Sequence, residues 1–358
     1  MVELAEIFRL HGPQYRKQFG SRMLPSHLRA MQDIEQCRTA ALGGQLYFCN
    51  QCQEQRYSYH SCKNRHCPKC QNEQANQWLQ EQQNLLLPVP HFLVTFTLPA
   101  ELRVVARSNQ KLIYNLLFRA SSAALLKLAH DPRFVGARLG MVGVLHTWTR
   151  QLLYHPHVHY IVTGGGLTSD GRWLSSRKDF LVPVKALSSI FRAKFRDHLK
   201  KTDLFTAVDR QAWKKKWVVH SEPVGSGAAA FKYLAPYIFR VALSNNRLRQ
   251  LHDGQVTFAY KESATDQVQR CTLTAQEFIR RFLQHVLPNR FIKVRYYGLL
   301  SPGHRHLLHK VRELLVPAIG KLKSEDLKPS QPVVALRCPH CGGPLTLTGL
   351  LAPRGRPP

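Results

Sequence analysis

Acidic residues are scarce in this chain: 22 Asp and Glu stand against 51 Lys and Arg in 358 residues, a formal charge of +29. On a chain that is 44% hydrophobic, that imbalance excludes an acidic solvating protein or a disordered one. It points to a polyanionic partner, most simply nucleic acid. No apolar run reaches the ~20 residues that span a bilayer. The N-terminus, Met1-Val2-Glu3-Leu4-Ala5-Glu6, lacks the basic stretch followed by an apolar one that marks a secretory signal. A cytoplasmic protein without a membrane partner is expected. The Gly-x-x-x-x-Gly-Lys-Ser/Thr loop of nucleotide-binding proteins is absent, which argues against a nucleotide cofactor. There is no internal repeat and no marked low-complexity tract.

In a reducing compartment the nine cysteines read as metal ligands rather than disulfide partners. Residues 37–70 hold Cys37, Cys49, Cys52, His60, Cys62, His66, Cys67 and Cys70, eight soft or imidazole ligands in thirty-four positions. Cys49-x-x-Cys52 and Cys67-x-x-Cys70 are two knuckles separated by fourteen residues, and together they read as one tetrahedral zinc site. Cys37, His60, Cys62 and His66 form a second candidate set; the competing reading is buried thiols and solvated histidines. Lys63, Arg65 and Lys69, with Tyr57 and Tyr59 nearby, suggest that part of this loop meets nucleic acid. Far downstream, Cys338-Pro339-His340-Cys341 is a lone knuckle, either a half-site completed from elsewhere, such as by Cys37, or a vestigial tail.

The pattern suggests an N-terminal helical segment and zinc-binding domain over 1–87, a catalytic domain over 88–318, and a basic linker with the C-terminal knuckle over 319–358. His91 to Pro99 reads as a strand, residues 100–129 as a long helix, and Gly140 to Trp148 as a strand followed by a short link to another. That next stretch, His155-Pro156-His157-Val158-His159, continues to Gly164-Gly165-Gly166. Side chains alternate along a strand, so His157 and His159 project from one face as a two-point metal clamp. Pro156 suits a strand start, His155 falls just outside it, and the glycines end it in a turn. A hairpin could carry His146 across as a third ligand, with Gln151 and His155 as substitutes. Residues 168–183 read as a hairpin or loop over the site. Lys214-Lys215-Lys216-Trp217 could bind a phosphate and stack a base, or form plain surface.

Gly225 to Arg240 reads as a helix, which puts Tyr233 and Tyr237 on one face a turn apart, with Pro236 expected to kink it. A tyrosine hydroxyl, with a pKa near ~10, is a poor nucleophile at neutral pH. A divalent metal that polarises a phosphodiester oxygen makes its in-line attack feasible. The covalent phosphotyrosine keeps the bond energy, so a free 3′-hydroxyl can later rejoin the strand without ATP.

His157-Val158-His159 resembles the His-hydrophobic-His signature of HUH single-strand endonucleases, and Tyr233-x-x-x-Tyr237 the tyrosine pair of their two-tyrosine class. With the Ser61 to Cys70 cluster, the Leu145-His146-Thr147-Trp148 strand and the segment from Glu277 to Leu287, the order over residues 30–300 is similar to rolling-circle transposases of the insertion-sequence-91 family. That resemblance implies an α+β fold: a five-stranded antiparallel HUH sheet, related to the ferredoxin-like arrangement, with flanking helices behind a small zinc-binding domain. It implies catalysis by Tyr233 and Tyr237, Mg²⁺ or Mn²⁺ at His157 and His159, structural Zn²⁺, single-stranded DNA at the element's ends and target, and a place at the bacterial nucleoid. A zinc-dependent nucleic-acid-binding regulator and a plasmid-type replication initiator or relaxase are the alternatives.

Overall fold

The computed structural model describes residues 2–70, 85, 87–226, 242–262, 265–319 and 336–353. The chain divides into two compact units, one drawn from Met1–Asn72, Leu243–Val286 and Leu322–Pro358, the other from Glu73–Ala242 and Leu287–Lys321. This differs from the three consecutive segments expected, because 243–286 and the C-terminal knuckle both belong with the N-terminal residues.

In the first unit, α1 (Leu4–Phe19) and α2 (Pro25–Gln36) precede a hairpin of β1 (Gly44–Cys49) and β2 (Gln55–Tyr59). The apolar stripe of α1, Leu4, Ile7 and Phe8, finds its partner late in the sequence. The helix Ala275–Leu283 buries Phe278, Ile279, Phe282 and Leu283, and Phe282 meets Phe8 edge-on with ring centres 5.4 Å apart. Leu4 N–H also donates to Asn245 Oδ1 at 3.1 Å. Burying one such phenylalanine contributes about 2–3 kcal/mol, so this stripe draws 243–286 out of the catalytic domain. That insert also carries the antiparallel meander β8 (Leu248–His252), β9 (Gln255–Lys261) and β10 (Val268–Thr274). Last, β12 (Leu345–Leu351) pairs antiparallel with β1, giving a sheet in the order β12-β1-β2.

The second unit is built on an antiparallel sheet ordered β11 (Val294–Gly298), β4 (Arg138–Trp148), β5 (Tyr154–Leu167), β3 (Pro90–Thr97), β7 (Val219–Ser226), with β6 (Trp173–Ser175) paired to the far end of β5. It is the α+β antiparallel arrangement expected, with β6 lying off the five-strand path. On one face Phe96, Val158, Tyr160 and Val162 pack under the helices Gln110–Ala129 and Val184–Leu199; Phe96 is fully buried edge-on between Tyr160 and Phe191. Among the described residues, Gln110–Ala129 is the helix long and apolar enough to cross a membrane, and it is mostly buried in this core. On the opposite face Leu93, Val142, Val144 and Ile161 pack with Leu299, Leu300, Leu308 and Val311.

Several local expectations change. The long helix is broken at Asn109 (φ −129°, ψ 46°), so Arg103–Ser108 and Gln110–Ala129 are separate. The strand β5 begins at Tyr154, one residue before His155, and runs on through Gly164-Gly165-Gly166. A Cβ there would lie 2.6 Å from the Pro90 oxygen, 2.6 Å from the Trp173 ring and 2.5 Å from the Arg138 oxygen respectively. These glycines let neighbouring strands approach rather than ending the strand. The turn that follows joins β5 to β6 beyond Leu167, about 33 Å along the strand from His157. Residues 168–175 therefore do not cover the histidines. Trp217 is 3% exposed, packed against Phe191, Phe195 and Trp213, and is a core residue rather than a stacking platform.

Candidate functional site

The β4–β5 ladder sets His146 directly opposite His157, and Val144 opposite His159. With strand alternation, that register turns three imidazoles to one face, and one ligand nitrogen from each lies within 4.8 Å of the others. Ring centres are 4.7 Å apart for His157 and His159, 5.0 Å for His146 and His159, and 5.5 Å for His146 and His157.

Each ring is held by its own neighbours. His157 Nδ1 lies 2.7 Å from the His155 carbonyl, which can only accept, so Nδ1 carries the proton and Nε2 keeps a lone pair for a ligand. Burial lowers the His157 pKa to about 4, which keeps the imidazole neutral. Thr95, opposite His159 on β3, places Oγ1 2.8 Å from His159 Nδ1. His146 is 3% exposed and stacks on Trp148 (ring centres 4.8 Å apart, planes at 24°), while Lys293 Nζ lies 5.3 Å from the centre of the same indole. His155 is occupied elsewhere: an Arg103 guanidinium N–H donates to its Nδ1 at 2.9 Å. His155 does not join the cluster. Three imidazole donors, one of them held neutral with Nε2 free, suit a divalent transition ion such as Mn²⁺ better than Mg²⁺ on donor softness. Sequence reading missed Thr95 and the Trp148–Lys293 backing, because only strand register reveals them.

Tyr233 and Tyr237 lie outside the described residues, as does the helix expected around them.

The cysteines group differently from expectation. Cys37, Cys62, Cys67 and Cys70 form one quartet, and Cys49, Cys52, Cys338 and Cys341 the other, each with all thiols within 4.8 Å of one another. The expected site made of Cys49, Cys52, Cys67 and Cys70 is therefore split. Cys49 and Cys52 sit at the turn of the β1–β2 hairpin, whereas Cys62 to Cys70 follow its base, where the His60 amide bonds the Gly43 carbonyl and its carbonyl accepts from Arg38. The hairpin's length separates the two knuckles. His60 and His66, expected beside Cys37 and Cys62, belong to neither quartet, and Cys37 joins the first rather than completing the C-terminal knuckle. Backbone N–H groups of Cys341 and His340 aimed at Cys338 Sγ pull its pKa down to about 6, and a hydrogen bond from the Cys62 thiol brings Cys37 to about 7. Both shifts favour the thiolate form that metals bind, while burial pushes the Cys52 thiol the other way, to about 12.

The candidate DNA contacts are unequal. Lys69 pairs with Glu3 at 2.6 Å, and Lys215 with Glu101. Arg65 is partly buried, and burial lowers its pKa. Lys63, Lys214 and Lys216 are exposed. Lys214 lines a cavity of about 590 Å³ with Arg196, Arg210, Phe205 and Trp213.

Comparison with known proteins gives these observations a class. A family model described as "Putative transposase" matches residues 140–307, a span that takes in the three histidines, and one described as "Transposase zinc-binding domain" matches residues 7–98, a span that contains the Cys37 quartet whole. The "Putative transposase y4qJ" of Sinorhizobium fredii (strain NGR234) is 42% identical over 341 residues, covering 88% of this chain and 85% of the relative. The transposase for insertion sequence element IS801 of Pseudomonas savastanoi pv. phaseolicola is 30% identical over 283 residues, 74% of this chain and 68% of its own length. A conjugative relaxase, TrwC, solved in complex with oriT DNA and metal-bound, overlaps 35% of this chain and 52% of its own at 19% identity with a TM-score of 0.28, too slight a likeness to bear on the site. The class is that of DNA transposases with a zinc-binding front domain. The chain belongs to the insertion-sequence-91 family of transposases.

Proposed function

We propose that this transposase nicks and rejoins single-stranded DNA by tyrosine transesterification, as rolling-circle transposition requires. The observation that carries the reading is the cluster of His146, His157 and His159, three imidazoles converging on one face of an antiparallel sheet in a basic protein. A Mg²⁺ or Mn²⁺ ion held by these imidazoles supplies Lewis-acid polarisation of a phosphate oxygen.

In this reading the Tyr233 hydroxyl oxygen attacks the scissile phosphorus in line. The bond from phosphorus to O3′ breaks, the 3′-oxygen leaves as a hydroxyl carrying the proton, and the 5′-phosphate stays on the tyrosine. Attack by another 3′-hydroxyl reverses the exchange. Tyr237 holds a second 5′ end while the first is occupied. The cavity beside Lys214, with its two arginines and the stacked Phe205 and Trp213 rings, offers cations and aromatic faces of the kind that track an unpaired strand. Lys216 adds to the exposed basic surface of the second unit, and Lys63 is exposed on the first. Lys69, Lys215 and Arg65 act mainly through the neighbours that already engage them.

The test is a cleavage assay with an end-labelled oligonucleotide carrying the element's end, with Mn²⁺ or Mg²⁺, resolved on a denaturing protein gel. The expected result is label that travels with the protein, vanishes with EDTA, and is lost in the Tyr233→Phe/Tyr237→Phe double variant. Tight DNA binding with no covalent label in either metal would overturn the reading in favour of a zinc-dependent binding protein.

A further inference from the structure

The family's zinc-binding span ends at residue 98, yet Cys338 and Cys341 lie some 240 residues beyond it (338 − 98 = 240). They nonetheless meet Cys49 and Cys52. Cys49 Sγ is 3.4 Å from Cys341 Sγ, and Cys52 Sγ 3.6 Å from Cys338 Sγ. These separations exceed a disulfide's ~2.05 Å. They approach the sulfur–sulfur edge of about 3.8 Å that follows from four 2.3 Å zinc–sulfur bonds in a tetrahedron. The backbone prepares the same meeting. Register sets Leu345 opposite Cys49, so the knuckle preceding β12 faces the turn of the β1–β2 hairpin, and the Gly342 amide bonds the Cys338 carbonyl at 2.8 Å to shape that knuckle.

We propose that Cys49, Cys52, Cys338 and Cys341 bind a second structural zinc ion, which fastens the C-terminal knuckle and β12 to the N-terminal hairpin as one ribbon. The four thiols give up four protons to water on binding, and the bound centre carries a net charge of −2.

Apolar packing alone does not hold β12 in place. Its Leu347 and Leu350 are 50% and 77% exposed, and β1 is the strand it pairs with among the described residues. A three-stranded sheet with so little buried surface is marginal in water, whereas Cys338 beside it is 2% exposed. The contrast is what a metal-closed ribbon gives: Cys49 and Cys338 buried, Cys52 and Cys341 half-buried, beside an open sheet. The inference stands apart from the tyrosine chemistry, since it requires neither DNA nor cleavage.

The experiment uses the full chain carrying a specific protease site between residues 322 and 335. Zinc is counted by mass spectrometry before cleavage. Relative to the parent, Cys338→Ser/Cys341→Ser is expected to lose one equivalent of zinc, and Cys341→His to keep it. After cleavage, the C-terminal fragment is expected to co-elute with the remainder until a chelator is added. Unchanged zinc in the double serine variant, or a fragment released without chelator, would overturn the proposal. Should the serine variant not fold, retention of the cleaved parent's fragment decides the question alone.

Discussion

His157 and His159 stand on β5 between β4 and β3, and His146 stands near the end of β4 opposite His157. The eight clustered thiols stand instead at a helix cap, a hairpin turn and loop knuckles. Register alone brings the imidazoles together, and Thr95 and the His155 carbonyl orient two of them, so their arrangement persists whether or not an ion is bound. The thiols stand on turns and loops shaped by a few backbone bonds, where a bound ion would add most to the order. On the proposed reading, a metal site would be an output of folding at the histidines and an input to folding at the thiols.

The largest expected effect breaks the comparison on the cysteine side. Structural zinc supplies free energy on the order of 10 kcal/mol to small metal-dependent folds. Cys67→Ser/Cys70→Ser is therefore expected to abolish cooperative unfolding of the first unit, seen by calorimetry as the loss of a transition. On the other side, His157→Ala/His159→Ala should lower metal-dependent cleavage by about 10³-fold or more, yet move the melting temperature by only a few degrees, as calorimetry of the same sample would show. A collapse of the fold in that variant would refute the contrast.

A smaller effect concerns His91, a buried ring on β3 whose Nδ1 meets the Val89 carbonyl at 2.8 Å. Burial lowers its pKa from 6.5 to about 4. The unfolded chain takes up a proton in that interval while the folded one refuses it. Stability is full above about pH 6.5, declines as pH falls, and levels off below about pH 4, a loss of about 3 kcal/mol. Urea titrations of His91→Asn between pH 4 and 7 should show a correspondingly flatter slope than the parent. Smallest is Thr95→Val, which strips His159 of its hydroxyl partner. Loss of such an outer hydrogen bond weakens metal affinity by about 10- to 100-fold, measurable by Mn²⁺ titration, with folding unchanged.

The alternation His157-Val158-His159 and the short link back to His146 were readable because both depend on neighbours close in sequence. The thiol pairing was not. Cys67 and Cys70 looked like natural partners for Cys49 and Cys52, and only the length of the β1–β2 hairpin keeps them apart. Nothing local signals that Cys338 meets Cys52, |i−j| = 286. The same blindness to distant partners hid the pairing of Phe8 with Phe282, which places 243–286 in the first unit. Trp217 was misjudged because three preceding lysines suggest surface, while the indole turns inward and donates to the Ala212 carbonyl.

The order in which the second quartet is completed carries a consequence for synthesis. At about 5–20 residues per second, the ribosome delivers Cys338 roughly 15–60 s after Cys52, given their separation of 286 positions. For that interval the hairpin exposes a half-built centre. A message truncated before codon 341 leaves it so permanently, with reactive thiols open to oxidation or to proteolytic triage. On the proposed zinc centre, a chain that lacks Cys338 and Cys341 is expected to leave Cys49 and Cys52 without their partner thiols.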